Sequence, residues 1–386
     1  VTLVVGITDA IFRPLAARQE LAARQWNVQS ARNDALLAVA AAYFDVQEAR
    51  GRLAGNTDSV AKAQDLERRI ASLARGLVPE IEIDRAYTLL AELKQRRASS
   101  RGAWRVSSAR LTRALRLNPG SVVVPLEPPH LQVTLISPRQ TVDDLIPIGL
   151  MTRPELAAQR ALVQATLVRL RQERLRPLLP SAVLGGGSGP GDTFNGAIFG
   201  GGRNDGVETS GGRFDAELGL VWSLANLGAG NRALVRERAA EQQLANIQFF
   251  RIQDQVAAEV VEAQAQLEAA TVQVGEAATG VKEALTSFRG NLEGVSEMRR
   301  AGDVNVILIR PQEAVASLQD LNRAYENYYA AVNSYNRAQF QLYHALGCPA
   351  RILASDRPAG EIQPVDTSRP PQMAPVCPHV LSSPDR

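Results

Sequence analysis

Residues 317–346 read SLQDLNRAYENYYAAVNSYNRAQFQLYHAL, and two stripes run through them. Leu318, Leu321, Tyr325, Tyr328, Val332, Tyr335, Leu342 and Leu346 follow a 3-4 spacing, with Gln339 as the polar exception. That is a heptad seam. Ser317, Ala324, Ala331, Ala338 and Ala345 recur every seven residues at another position of the same heptad. A two-stranded coiled coil needs one seam, whereas a helix in the wall of a tube has neighbours on two sides and needs two. An ordinary bundle core would account for both stripes as well.

The same pattern occurs twice along the chain. The first copy has a strand pattern at Val1–Thr8 and an Ala-rich helix from about Ala16 to Ala74. A tip follows at Arg75-Gly76-Leu77-Val78-Pro79, and a second helix runs from about Ile83 to Leu117. The second copy has a strand pattern at Phe214–Leu224 and a helix from near Arg232 to Arg300. Its tip is Arg300-Ala301-Gly302-Asp303-Val304, and the returning helix ends at Ala345-Leu346. An offset of roughly 220–230 residues marks a duplicated half, not a solenoid of short units. The first long helix should span about 85–90 Å at 1.5 Å per residue. Aligning the helix ends keeps the small stripe in the first copy at Ala86, Ser100, Ser107 and Ala114, with Leu93 as the exception. The other stripe is degraded, since Arg97 and Arg101 replace Tyr328 and Val332.

Four segments result: a first repeat over 1–117, a connector over 118–152, a second repeat over 153–347 and a Pro-rich tail over 348–386. The connector is rich in proline and β-branched residues and has no strong pattern. Arg153-Pro154-Glu155 starts a helix that runs to about Leu175, with Pro early and an acid in the first turn. Ser181–Arg213 is strand-like and then Gly-rich. In Phe214–Leu224 the residues Phe214, Ala216, Leu218, Leu220, Trp222 and Leu224 share one face. Such a strand suits a soluble sandwich or the lipid face of a barrel. Gly275, Gly280, Gly290 and Gly294 should weaken the second long helix locally.

Composition excludes several functions. The 386 residues are 45% hydrophobic but only 5% aromatic, which suits thin interfaces between long helices better than one thick core. The net charge of +3 is mild, and acids and bases interleave as in Glu48-Ala49-Arg50 and Glu67-Arg68-Arg69. Without a basic, aromatic-bearing patch, nucleic acid is not the expected partner. No P-loop, H-E-x-x-H or strand-linked G-x-G-x-x-G occurs, so the chain reads as a non-enzyme without cofactor. Cys348, Cys377, His344 and His379 show no zinc-ligand spacing, so no metal is expected; a disulfide and two separate thiols both remain open. No stretch of about 18 apolar residues could form a membrane helix, but barrel strands would escape that test. Val1 already lies inside a strand pattern, which reads as a truncated or processed start.

The chain resembles the TolC-like outer-membrane efflux protein family. The resemblance covers nearly all of residues 1–347. It rests on Ala41-Ala42-Tyr43-Phe44-Asp45-Val46, the Arg75-Gly76-Leu77 tip, Arg153-Pro154-Glu155-Leu156, Leu178-Leu179-Pro180-Ser181, Val221-Trp222-Ser223-Leu224 and Tyr335-Asn336-Arg337-Ala338, in that order. It implies a mainly α fold with a β-barrel part: a homotrimer in which each protomer gives four strands to a 12-stranded barrel and its helices to a periplasmic tunnel. The opening strand of the first half, and the helix before it, are missing from the recognisable pattern.

The implied function is a passive duct of a tripartite efflux or type I secretion system. It would sit in the outer membrane of a Gram-negative bacterium and couple to an inner-membrane transporter through a periplasmic adaptor. The resemblance assigns adaptor contact to Gly76, Leu77, Gly302, Asp303 and Val304, and an acidic tunnel constriction to Glu82. Leu308 takes the place of Glu82 in the second copy. The competing assignments are plain turns at the tips, an ordinary solvated acid at Glu82, and a periplasmic coiled-coil adaptor or scaffold for the whole chain.

Overall fold

The structure, a computed structural model, describes residues 2–73, 79–188, 214–222, 225–301, 304–307 and 309–347. The chain divides into two compact units, one of residues 1–30 with 154–255 and one of residues 31–153 with 256–386.

The first unit holds a three-stranded antiparallel sheet in the order β1 (Thr2–Gly6), β2 (Ser181–Ser188), β3 (Phe214–Val221). The register places Leu3, Leu184 and Leu218 in one cross-strand row, and Val5, Ala182 and Leu220 in the next. Leu3, Leu184 and Leu218 are 56%, 47% and 65% exposed, so this apolar row is uncovered. β1 is shorter than expected, because Ile7 and Thr8 already belong to helix α1 (Ile7–Leu73). That helix also runs through Pro14, its eighth residue, where the missing N–H forgoes one i→i−4 bond. Helix α4 (Pro154–Leu175) has the bounds that its Pro and acid at the N-terminus imply. Asp9 of α1 accepts hydrogen bonds from Gln172 Nε2 at 2.7 Å and Arg176 Nη2 at 2.8 Å of the α4 end. Buried Ala16, Ala23, Ala161 and Ala165 line these helices.

The second unit contains the rest of α1, helix α2 (Glu80–Ala114), helix α3 (Val142–Thr152), the greater part of helix α5 (Ala229–Ser296), and helix α6 (Pro311–Ala345). One apolar core joins Leu66 and Ile70 of α1, Leu89 and Leu93 of α2, Phe288 and Val295 of α5, and Leu318 and Leu321 of α6. A second joins Val260, Leu267 and Val274 of α5 to Val332, Tyr335 and Leu342 of α6. Both stripes of α6 are used: the long seam is buried at Leu318, Leu321 and Leu342, the small one at Ser317, Ala331, Ala338 and Ala345. Of the two arginines in the degraded stripe of α2, Arg101 is exposed and Arg97 half-buried.

Three expectations are corrected. Residues 142–152 of the connector are helical, with Pro147 inside the helix and Thr141 Oγ1 donating to Asp144 Oδ2 at 2.6 Å across its first turn. Helix α5 ends at Ser296 instead of Arg300. Residues 298–301 form a strand, β4 (Met298–Ala301), paired antiparallel with β5 (Val304–Ile307), so the second hairpin end carries a two-stranded ribbon. Four residues per strand leave too little alternation to recognise in sequence.

Candidate functional site at the helical hairpin ends

The two hairpin ends lie together in the second unit, because the first apolar core contains residues from the end of α1, the start of α2, the end of α5 and the start of α6. Gly294 permits the closest approach there: a Cβ on it would lie 2.4 Å from Ile309 Cδ1, and Ile309 N–H donates to Gly294 O at 3.3 Å. The α2 start follows Pro79, whose side chain caps nothing, and Glu80 and Glu82 sit in its first turn, where the helix dipole favours acids.

Glu82 is not a solvated acid. Its side chain is 12% exposed and paired with Arg85, one turn along α2. Arg85 also donates to Gln312 Oε1 at 3.4 Å in the first turn of α6, so the acid belongs to a polar bridge between the hairpins. Glu82 Oε2 is buried and has no partner among the described residues. Val304 opens β5, its backbone opposite Ala301. Gly76, Leu77, Gly302, Asp303 and Leu308 lie outside the described residues, as do Cys348, Cys377 and His379. His344 Nε2 lies 2.8 Å from Asp34 Oδ1, and the described residues contain no cluster of potential metal ligands.

Above the ends, α1 and α6 meet through contacts the sequence reading missed. Gly51 and Gly55, the glycines of that long helix, face aromatic rings: a Cβ would come within 2.3 Å of Tyr329 Cδ1 at the first and 2.9 Å of Tyr325 Cβ at the second. Tyr325 donates from its hydroxyl to Asp58 Oδ2 at 3.0 Å, and burial first, then the Asp58 charge, raises its pKa. The signal available in sequence was a glycine pair four apart in an otherwise Ala-rich helix, level with a Tyr pair four apart.

The patternless connector is held by side chains instead of strand partners. Gln339 accepts from Leu135 N–H and Ile136 N–H at 3.0 Å each and donates to Ile136 O at 3.0 Å. Asn336 accepts from Val133 N–H and donates to Leu131 O, both at 2.8 Å. Gln264 of α5 donates to Pro138 O at 3.1 Å and Gln140 O at 3.0 Å. The polar exception in the α6 seam is thus a clamp, fully buried and satisfied. Further along, Arg50 donates to Pro125 O, Trp104 Nε1 donates to Val123 O at 3.1 Å, and Tyr43 donates to Glu127.

Long paired helical hairpins, a clamped connector and an antiparallel sheet at the strand-to-helix entries define one architecture. The chain has the TolC-like outer-membrane channel fold. It superimposes on the Vibrio cholerae outer membrane protein VceC with a TM-score of 0.70 and 15% identity, covering 90% of this chain and 78% of that one. Against the open state of the Neisseria gonorrhoeae MtrE outer membrane channel the TM-score is 0.70 at 16% identity, over 86% of this chain and 70% of the other. The Campylobacter jejuni CmeC outer membrane channel gives 0.69 at 14%, over 90% and 69%. No protein-family sequence profile and no curated protein sequence matches the chain. The TolC-like fold is therefore carried here by packing and topology at very low identity, as the alanine- and charge-rich composition of its helices allows.

Proposed function

We propose that this protein is an outer-membrane export duct, working as a homotrimer without catalysis of its own. The observation that carries the proposal is the uncovered apolar strand row, Leu3–Leu184–Leu218, in a chain that otherwise consists of long helical hairpins. A row of that kind suits hydrocarbon, and barrel closure is the way a sheet can satisfy its edges there. None of the described helices is long and apolar enough to cross a membrane, so a sheet would have to provide the span. The channels on which the chain superimposes support the same reading. On it, three protomers share a barrel, the helices build a periplasmic tunnel, and an inner-membrane transporter supplies the energy through an adaptor. The adaptor meets the tips at Gly76, Leu77, Gly302, Asp303 and Val304, and Glu82 narrows the tunnel beside them.

Cell fractionation with crosslinking of the full-length gene product tests the duct. Recovery with outer membranes as a trimer is expected, and a soluble periplasmic monomer overturns it. For the tips, Leu77→Glu and Gly302→Arg should abolish export while trimers persist. Unchanged export in both variants removes the tips from the mechanism.

A further inference from the structure

The unit that carries the sheet has a collar of arginines at one end of its strands. Gly6, Ser181 and Val221 stand opposite one another, so the chain passes between sheet and helices at one level. Three helices meet that level: α1 starts at Ile7, α4 ends at Leu175 and α5 starts at Ala229. Arg174 lies one residue from its helix end, Arg232 three, Arg171 four and Arg236 seven. At about 1.5 Å per residue all four fall within about 11 Å of those ends. Arg171 and Arg174 are three apart on α4, and Arg232 and Arg236 four apart on α5, so each pair shares a helix face.

All four are exposed, and among the described residues none has a hydrogen bond or ion pair from its side chain. The neighbouring charges are taken. Arg176 holds Asp9 at 2.8 Å and Glu173 at 3.4 Å, and Arg13 holds Asp9 at 3.2 Å. Arg169 pairs with Glu20, and Arg238 with Glu241. Among the described residues at this end, Glu237 is the one acid without a hydrogen bond or ion pair. Like charges so placed repel one another, and one acid does not offset four cations.

The adjoining surface says what anion they face. Trp222 follows β3 on the face of Leu218 and Leu220 and is 57% exposed. Leu178, between α4 and β2, and Leu227, just before α5, are exposed as well. From sheet to helices the surface therefore passes from leucine through tryptophan to arginine. A membrane offers hydrocarbon, interface and headgroup in that order, with tryptophan favoured at the interface. The planar guanidinium takes two phosphate oxygens at once, and its long stem lets the charge reach a headgroup beside it.

We propose that Arg171, Arg174, Arg232 and Arg236 bind the phosphates of anionic phospholipids in the leaflet on the helix side of the membrane. The assignment rests on the export-duct reading, which places the sheet in hydrocarbon. A zwitterionic headgroup carries its own cation beside the phosphate, whereas an anionic one leaves the phosphate to the arginines. The collar thus selects lipid by charge.

The test uses the full-length protein in phosphatidylcholine vesicles that contain a brominated lipid, which quenches a nearby tryptophan. The Trp222 signal is the difference between the protein and its W222F variant. One basic residue near an anionic surface changes affinity about fivefold. Brominated phosphatidylglycerol should therefore quench Trp222 at a mole fraction about fivefold or more below that needed with brominated phosphatidylcholine. In the variant R171Q/R174Q/R232Q/R236Q the two lipids should quench alike. The comparison of lipids on the unaltered protein stands without any variant of the collar. Equal quenching there, or a preference that survives the glutamine variant, overturns the lipid site and leaves the duct standing. No quenching by either lipid overturns both.

Discussion

At the residue scale, Gln339 shows how a pattern exception reports structure. In the sequence it interrupts the heptad seam, and in the fold its amide completes three backbone groups of residues 135 and 136. Gln339→Leu restores the seam yet leaves two N–H groups and a carbonyl buried without partners, at about 1–3 kcal/mol for each unsatisfied group. The expected result is a loss of about 3 kcal/mol or more in stability, read from denaturant unfolding in detergent; an equal or higher midpoint would contradict the clamp. Gly51→Ala should cost about 1–3 kcal/mol, because the new Cβ displaces the Tyr329 ring. A thermal melt of that variant checks it, and no shift would mean that the ring has room to retreat. The seam itself was legible because Leu and Tyr spacing carries it. Glu82 was not legible as a buried acid, since the bridge it belongs to, through Arg85 to Gln312, forms only where the two hairpins meet.

At the scale of elements, legibility followed the strength of local signals. Helix α4 could be bounded because proline and acid mark its start and Pro177 follows its end. Helix α3 could not, because Pro147 and the β-branched residues around it argue locally against a helix that tertiary contacts nevertheless hold, with Leu145 fully buried. The connector before it has no periodicity to read, since helix side chains satisfy its backbone. Tyr43 and Glu127 form one of these ties and give it a pH window. Burial, then the hydrogen bond to Glu127, pushes the Tyr43 phenol up from 10.0 to about 12. A raised folded-state value means that the stabilisation is complete below pH 10.0 and fades as pH rises through 12. Accepting that bond lowers the Glu127 pKa below 4.5, so its contribution is present above pH 4.5 and fades as pH falls. Tyr43→Phe should therefore lower the melting temperature between these limits and matter progressively less beyond them. Melts of both proteins from pH 4 to pH 12 measure the difference, and a pH-independent gap would assign the loss to packing instead.

At the scale of the whole molecule, the sequence showed two long helical hairpins, and the structure has them as α1–α2 and α5–α6 because helix length and stripe spacing are strong local signals. The sheet was only half legible, since alternation along Phe214–Leu224 cannot distinguish a face turned to a protein core from one turned to lipid. Register shows that the described residues leave this face uncovered: Leu184 stands between Leu3 and Leu218, and all three are exposed. If the row faces hydrocarbon, Leu184→Arg places an unpaired cation in the lipid, at about 2–4 kcal/mol near the bilayer midplane and less near the interface. Val4, on the opposite face and also exposed, would then face the lumen, where Val4→Arg should be tolerated. In a water-exposed sheet both substitutions would instead be equally mild. The expected outcome is a marked fall in folded, membrane-recovered protein for Leu184→Arg against near-normal recovery for Val4→Arg. Equal recovery of the two would remove the strand row as the lipid-facing surface, and with it the observation on which the export-duct reading stands.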